Sequence, residues 1–249
     1  MKDKTILITG ATSGIGLACA KLFAKEGSNL ILFARRLEKL EDIKNKLEQQ
    51  HSIKVQITQV DVRDKKQVAD ATADLPAIDV LINNAGLAKG IEKIQEGYLE
   101  KWDQMIDTNI KGLLTVTRAI LPLMISRNSG HIINIGSIAG HEVYPGGNVY
   151  NATKFAVNAL TRAIRMDLLG YKIRCSSVDP GMVETEFSIV RLDDEQKAKK
   201  VYEGFNPLVA EDIADTIYFV ASRPNHVNIQ DVVIMPTDQA SATLVNRKN

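Results

Sequence analysis

Short runs that are apolar at nearly every position alternate with longer amphipathic stretches along almost the whole of this 249-residue chain, and that rhythm limits its fold more than any other feature. The apolar runs fall at residues 5–9, 30–33, 55–60, 80–82, 131–135, 173–178 and 232–235. The helical stretches fall at 15–26, 37–50, 65–73, 99–125, 150–169 and 212–221. A strand without a polar side has no wet face, so it must be covered above and below. Strands of this kind separated by helices belong to a parallel sheet with helices packed on both faces. The expectation is an α/β, three-layer, doubly wound fold built on a seven-stranded parallel sheet. No Pro/Gly/Ser-rich linker and no repeat divides the chain, so residues 1–249 are expected to form one domain.

Charge narrows the function classes. With 31 basic and 30 acidic side chains the formal charge is +1, which argues against a nucleic-acid partner. Hydrophobic residues at 45% and charged residues at 24% argue against disorder. Cys19 and Cys175 lie far apart with no Cys or His at metal-ligand spacing; they read as small buried hydrophobes in a reducing compartment, and no metal is expected. No apolar run reaches membrane-spanning length and the first strand is too short for a signal-peptide core, so no membrane association and a cytoplasmic location are expected. The least regular segment, residues 181–206, is either a substrate lid beyond a strand end or a solvated surface helix.

The first strand ends in Thr9-Gly10-Ala11-Thr12-Ser13-Gly14-Ile15-Gly16 and a helix follows at once. Glycines there let the backbone turn tightly, approach a pyrophosphate and pack helix against strand, while the helix N-terminus offers free N–H groups and partial positive charge. The spacing is G-x-x-x-G-x-G rather than the general G-x-G-x-x-G, so position carries the reading. The second strand ends in Phe33-Ala34-Arg35-Arg36, without the carboxylate that would bind the ribose 2′-hydroxyl of NAD. Arginine's planar fork suits a 2′-phosphate, so NADP is favoured over NAD, against the alternative that Arg35 and Arg36 are ordinary solvated charges. Asp61, ending the third strand, either meets the adenine amino group or caps the next helix.

Three further sets stand at later strand ends: Asn83-Asn84-Ala85-Gly86, Ser137, and Tyr150-Asn151-Ala152-Thr153-Lys154. Ligands bind beyond the carboxyl ends of such strands, so these residues converge on the crevice to which the glycine loop points. Tyr150 and Lys154 share one helix face at i, i+4, and an ammonium beside a phenol favours the phenolate, which makes Tyr150 a candidate general base. Tyr144 competes for that role, but its i+4 partner is the uncharged Asn148. Trp102, with Leu99, Met105 and Ile106 at helical spacing, reads as packing.

The glycine loop, Asn-Asn-Ala-Gly, Asn109, Ser137, Tyr150, Lys154 and Pro180-Gly181, in that order, resemble the classical short-chain dehydrogenase/reductase family over essentially the whole chain. The resemblance implies a Rossmann-type NAD(P)-binding catalytic domain, a small-molecule alcohol or carbonyl substrate, and assembly as a homotetramer. It implies that Tyr150 exchanges a proton with the substrate oxygen, that Ser137 hydrogen-bonds that oxygen, and that Lys154 holds the nicotinamide ribose and lowers the tyrosine pKa. Asn109 would position a water linking the lysine to solvent. Cofactor contacts are implied for Gly10, Thr12, Ser13, Gly14, Ile15, Gly16, Arg35, Arg36, Asp61 and Val62. Asn84, Ala85 and Gly86 would line the adenosine side, with Pro180, Gly181, Val183 and Thr185 on the nicotinamide side beside Tyr150 and Lys154.

Within the family the chain is similar to NADP-dependent 3-hydroxy acid dehydrogenases that oxidise serine and allo-threonine. The matching stretches are residues 131–137, Gly146-Gly147-Asn148-Val149-Tyr150, Thr185-Glu186-Phe187-Ser188 with Val190-Arg191, and His226-Val227-Asn228-Ile229. A carboxylate-bearing substrate needs a cation, for which Arg191 and Lys89 are the candidates. The chain departs from that group at Glu184 and at His141-Glu142, where an aromatic residue is expected in the substrate loop. His141 is either a substrate contact or an exposed side chain. Alternatives are a reductase of another carbonyl, such as a keto sugar acid or 3-oxoacyl thioester, and a non-catalytic nucleotide sensor. An intact Ser137, Tyr150 and Lys154 argues against the sensor. An epimerase-type relative would need an added C-terminal domain.

Overall fold

The apolar runs pair into one sheet. In the computed structural model, which describes residues 1–248, β1 (Thr5–Thr9), β2 (Asn29–Ala34), β3 (Val55–Gln59), β4 (Val80–Asn83), β5 (Gly130–Ile135), β6 (Ile173–Pro180) and β9 (Asp231–Ile234) align in parallel in the order β3-β2-β1-β4-β5-β6-β9. The register β1 to β2 sets Thr5 beside Asn29 and Thr9 beside Phe33, and Ile6, Leu7 and Ile8 face Val80, Leu81 and Ile82 of β4. The order reverses between β1 and β4, and their carboxyl ends splay to leave a crevice.

Burial on both faces accounts for the unbroken apolar strands. Ile6 and Ile8 enter one core layer with Phe23 of α1 (Gly14–Lys25) and Ile213 and Ile217 of α9 (Ala210–Ala221), while Leu7 enters the opposite layer. That second layer holds Val68 of α3 (Lys65–Thr72), Ile120 and Met124 of α5 (Leu113–Ser126) and Ile164 of α6 (Asn148–Asp167). α2 (Leu37–Gln50) packs on the first layer through Leu40 and Leu47. Cys19 and Cys175 are buried and unpaired, as expected of small core residues. Among the described residues no helix is long and apolar enough to cross a membrane, and no acidic, His or Cys cluster could hold a metal.

The stretch expected as one helix, 99–125, winds without a break from Leu99 to Ser126, with α4 (Leu99–Ile106) passing into α5 through a widened π-turn at Asp107–Gly112. In that turn the Asn109 side chain bonds main-chain atoms of Leu87. The segment 181–206 carries β7 (Val183–Glu184), α7 (Glu186–Leu192) and α8 (Glu195–Lys200), with β8 (Leu208–Val209) pairing to β7 beneath them. Thr185 and Asp194 cap the two short helices, whose few turns are too brief to leave an amphipathic period in the sequence.

His131 on β5 is buried, with Nε2 2.8 Å from the Ser176 hydroxyl; burial, helped by the Arg174 guanidinium, pulls its pKa down to about 3 from 6.5. As pH falls from 6.5 toward 3 the unfolded chain takes up a proton that the folded protein refuses. Stability is therefore complete above that window and declines within it by about 1.4 kcal/mol per pH unit. Denaturant titrations between about pH 7 and pH 5 should show this slope, and His131→Gln should flatten it. A slope that survives the substitution would assign it to other groups.

Candidate active site

The crevice at the β1/β4 switch point opens into a cavity of about 960 Å³. One end is the glycine loop. Gly10 and Gly14 have φ of +68° and +50°, and a Cβ on Gly16 would lie 2.4 Å from the Gly10 carbonyl oxygen, so side chains are excluded where the backbone turns. α1 begins there without a capping side chain or an acidic residue in its first turn, which leaves its amide donors and positive end facing the cavity. β4 holds this loop in place. The Asn84 amide donates to the Thr9 carbonyl (2.9 Å) and the Gly10 carbonyl (3.2 Å), and the Thr9 hydroxyl accepts the main-chain N–H groups of Asn84 and Ala85 at 3.1 and 3.0 Å.

Arg36 is part of the same cradle. Its guanidinium donates to the Thr12 hydroxyl at 3.1 and 2.9 Å and to the Ser13 hydroxyl at 2.9 Å, and it pairs with Glu186 of α7 at 3.3 Å. Arg35 lies exposed beside it on the cavity wall. The Asp61 carboxylate is taken by the Arg63 guanidinium, which holds its pKa below the usual range. The cap of α3 is Asp64, not Asp61. An uncapped helix start, side-chain-free glycines and a fixed guanidinium together fit the diphosphate and 2′-phosphate of an NADP-type dinucleotide.

The other end carries the hydroxyls. Ser137 closes β5 at the start of a single 3-10 turn, accepting the Ala139 N–H at 3.1 Å and lying 3.4 Å from the Pro180 carbonyl oxygen. Tyr150, in the first turn of α6, is buried against the Phe187 ring with 5.7 Å between centroids. Burial pushes its phenol above the ordinary value, while the Ser137 hydroxyl and the Arg191 charge pull the other way. Lys154 does not bond the phenol: its ammonium donates to the Ile135 carbonyl at 2.8 Å and stands 5.9 Å from the Tyr150 ring centre. Burial lowers its pKa to about 8, against the pull of Asp179. In this arrangement burial is the largest influence on the phenol, and the lysine's charge is directed to a main-chain carbonyl.

Arg191 of α7 brings a guanidinium into the cavity beside Tyr150. Its guanidinium donates to the Tyr144 hydroxyl at 2.9 Å and lies 5.4 Å from the Tyr144 ring and 5.6 Å from the Tyr150 ring. Gly90 holds it in place through its carbonyl and through its N–H on the Arg191 carbonyl at 2.9 Å. Tyr144 is therefore partnered by the lid, a contact that local spacing cannot reveal.

Most of the residues singled out in the sequence face this cavity, including Thr12, Ser13, Ile15, Val62, Ala85, Gly86, Pro180, Gly181, Val183 and Thr185. Four do not. Gly16 sits beneath the loop as a packing contact with Asn84. Lys89 is outside the lining, and only its neighbours Leu87 and Ile91 reach the cavity. His141 is exposed, as one of the two readings had it, with Nε2 2.8 Å from the carboxylate of the fully buried Asp179. Asn109 lies behind the site: its amide donates to the Leu87 carbonyl at 2.8 Å and the Thr153 hydroxyl at 3.0 Å, and its oxygen accepts the Leu87 N–H at 2.9 Å. Sequence reasoning gave no site role to Asp179 and Phe187, which neighbour motif residues, and missed Tyr202, Gln239 and Ala242, which reach the cavity from segments further along the chain.

This constellation on this sheet is that of a dehydrogenase, and the chain belongs to the short chain dehydrogenase family, whose model matches residues 4–196. Its relatives include an NADP-dependent 3-hydroxy acid dehydrogenase of Salmonella typhi, 46% identical over 245 residues that cover 96% of this chain and 97% of the other. A serine 3-dehydrogenase of Agrobacterium fabrum is 46% identical over 242 residues, covering 96% of each. Among solved structures, the closed form of a serine dehydrogenase complexed with NADP+ superposes with a TM-score of 0.92 at 42% identity, covering 98% of this chain and 100% of that one.

Asn109→Ala would leave the buried N–H and carbonyl of Leu87 without partners. At roughly 1–3 kcal/mol per orphaned group the variant should lose about 2–5 kcal/mol of unfolding free energy in equilibrium denaturation. A loss under about 1 kcal/mol would mean that the Leu87 loop finds other partners.

Proposed function

We propose that residues 1–249 form one catalytic domain that oxidises the 3-hydroxyl of a 3-hydroxy acid such as serine or allo-threonine, with NADP+ as the hydride acceptor. The observation that carries the reading is Arg191, a guanidinium lying 5.6 Å from the Tyr150 ring in the cavity that Ser137 also lines. A carboxylate paired with Arg191 would put the substrate in the same cavity as the Ser137 and Tyr150 hydroxyls. The names of the relatives at 46% identity support the same substrate class.

In this reading Ser137 orients the substrate hydroxyl through its Oγ, and Tyr150, once its own phenolic proton has left for solvent, takes the hydroxyl proton on Oη as hydride leaves the same carbon. NADP+, when bound, supplies the nicotinamide ring that receives the hydride. Lys154 keeps an exchangeable proton behind the phenol, on an amine whose pKa of about 8 lies close to neutrality. Both N–H groups of the Asn109 side-chain amide and one acceptor position of its oxygen are taken by protein partners, so its part is to hold the loop of Leu87. Arg36, with Ser13 and Arg35, receives the 2′-phosphate.

A homotetramer is supported by exposed apolar side chains on two surfaces: Leu99, Leu114, Phe155 and Met166 on α4 to α6, and Phe219 and Val233 beside the edge strand β9. Buried, unpaired Cys19 and Cys175 support a reducing, cytoplasmic setting.

Following NADP+ reduction at 340 nm (roughly the nicotinamide absorbance band) with L-serine and the threonine stereoisomers tests the reading. Turnover is expected, lost in Tyr150→Phe, with KM raised at least about tenfold in Arg191→Ala. No turnover with any 3-hydroxy acid, while the protein still binds NADPH, would overturn the substrate class. Arg36→Ala should weaken NADPH binding at least about tenfold while changing NADH binding little, measured by fluorescence titration. Equal losses for both would show that Arg36 does not read the 2′-phosphate.

A further inference from the structure

The segment after β9 folds back over the substrate end of the cavity as a small hairpin. Gln239 and Val245 form an antiparallel bridge, the Ala240 N–H donates to the Leu244 carbonyl at 2.9 Å, and the Ser241 hydroxyl accepts the N–H groups of Thr243 and Leu244. Gln239 is only 4% exposed, and its side-chain oxygen accepts the Met182 N–H at 2.8 Å. A Cβ on Gly181 would lie 2.4 Å from that oxygen, so the crossing depends on glycine there. At the tip of the hairpin the Ala242 N–H donates to Glu142 Oε2 at 2.8 Å, and Ala242 itself faces the cavity. Further along, Arg247 bonds the Val201 and Glu203 carbonyls, and the Lys248 N–H bonds the Gly204 carbonyl, all just beyond α8.

The hairpin thus ties together the loop after β6, the turn after Ser137 and the end of the lid. Glu142 is the link to the catalytic turn, at a position where the resemblance leads one to expect an aromatic residue nearby. A carboxylate accepting a main-chain N–H is a charge-assisted tether, stronger than a neutral hydrogen bond.

We propose that the Glu142–Ala242 latch fixes the hairpin as the wall that sets how large a group the substrate can carry beyond its hydroxyl carbon. The inference rests on the 3-hydroxy acid reading above for the identity of the substrate, though not for the existence of the wall. With the oxygen at Ser137 and Tyr150 and the carboxylate on Arg191, the remaining substituent is the part left to meet other walls, and Ala242 is the hairpin residue at the tip that lines the cavity. Glu142 is a positioning residue in this scheme; Ala242 is the specificity-determining one.

The test compares kcat/KM for serine, the threonine isomers and 3-hydroxy acids with longer chains, using full-length enzyme with NADP+. In Ala242→Leu the preference for longer over shorter substrates should fall at least about tenfold, the scale expected when one or more methylenes are excluded from a pocket. Glu142→Ala should shift the same ratio the other way, chiefly through KM, by releasing the wall. Glu142→Gln should restore it, because the amide oxygen can accept the same N–H. NADPH titration checks that each variant is folded. An unchanged size ratio in Ala242→Leu, or a Gln variant as altered as the Ala variant, would overturn the proposal. If the wild type oxidises a different class of alcohol, the substrate reading fails while the same ratio, read on a size series of that alcohol, still decides on the wall.

Discussion

The grip of Asn84 and Thr9 on each other's main chains underlies the rest of the molecule. At the point where the strand order reverses, β1 and β4 pair directly through their main chains as far as Ile8 and Ile82. Beyond that ladder, side-chain hydrogen bonds join the two loops, with the Asn84 amide on the Thr9 and Gly10 carbonyls and the Thr9 hydroxyl on two N–H groups of the other strand's loop. The absent Cβ of Gly16 lets helix α1 close onto the same junction. With the loop fixed, Thr12 and Ser13 present hydroxyls to the Arg36 guanidinium, and a cation is held over the cradle before any anion arrives. Displacing Asn84 would therefore disturb the anion-facing arginine some distance away, through packing and hydrogen bonds alone.

The fold was legible because its determinants are local and repeated. A strand buried on both faces writes an unbroken apolar run, and each of the seven runs became a strand of the one sheet, within a residue or two at the ends. The long fourth helix was legible as a helix but its π-turn was not, because nothing in the spacing of Leu99, Trp102 and Met105 signals that the Asn109 side chain will bond the Leu87 main chain. At the site, positions at strand ends were readable: Ser137, Tyr150 and Lys154 do line one cavity. Partners across the chain were not. The lysine's bond to the Ile135 carbonyl, the histidine's to Asp179 and the arginine's to Tyr144 each join segments whose approach only the finished fold defines.

Electrostatically the site is a compromise between burial and charge. Tyr150, Lys154 and Asp179 are all buried, and burial pushes each toward its neutral form: phenol and carboxyl upward, ammonium downward. What opposes this is a set of hydrogen bonds, from the Ser177 hydroxyl and His141 to Asp179 and from Lys154 to a carbonyl, together with the lysine–aspartate attraction. Groups poised in this way change protonation with small changes in their surroundings, which suits a reaction that moves a proton and a hydride in step.

The hairpin that completes the cavity joins residues 100 positions apart, Glu142 and Ala242, whereas the Thr9–Asn84 junction is complete once the first third of the chain has formed. Synthesis runs from the N-terminus, and long-range contacts form late because their loops cost more entropy to close. The nucleotide cradle can thus assemble on a nascent chain well before the wall that selects the substrate exists. Cofactor bound at that stage would stabilise the first half of the sheet by mass action, acting as a template for folding before it acts as a reactant.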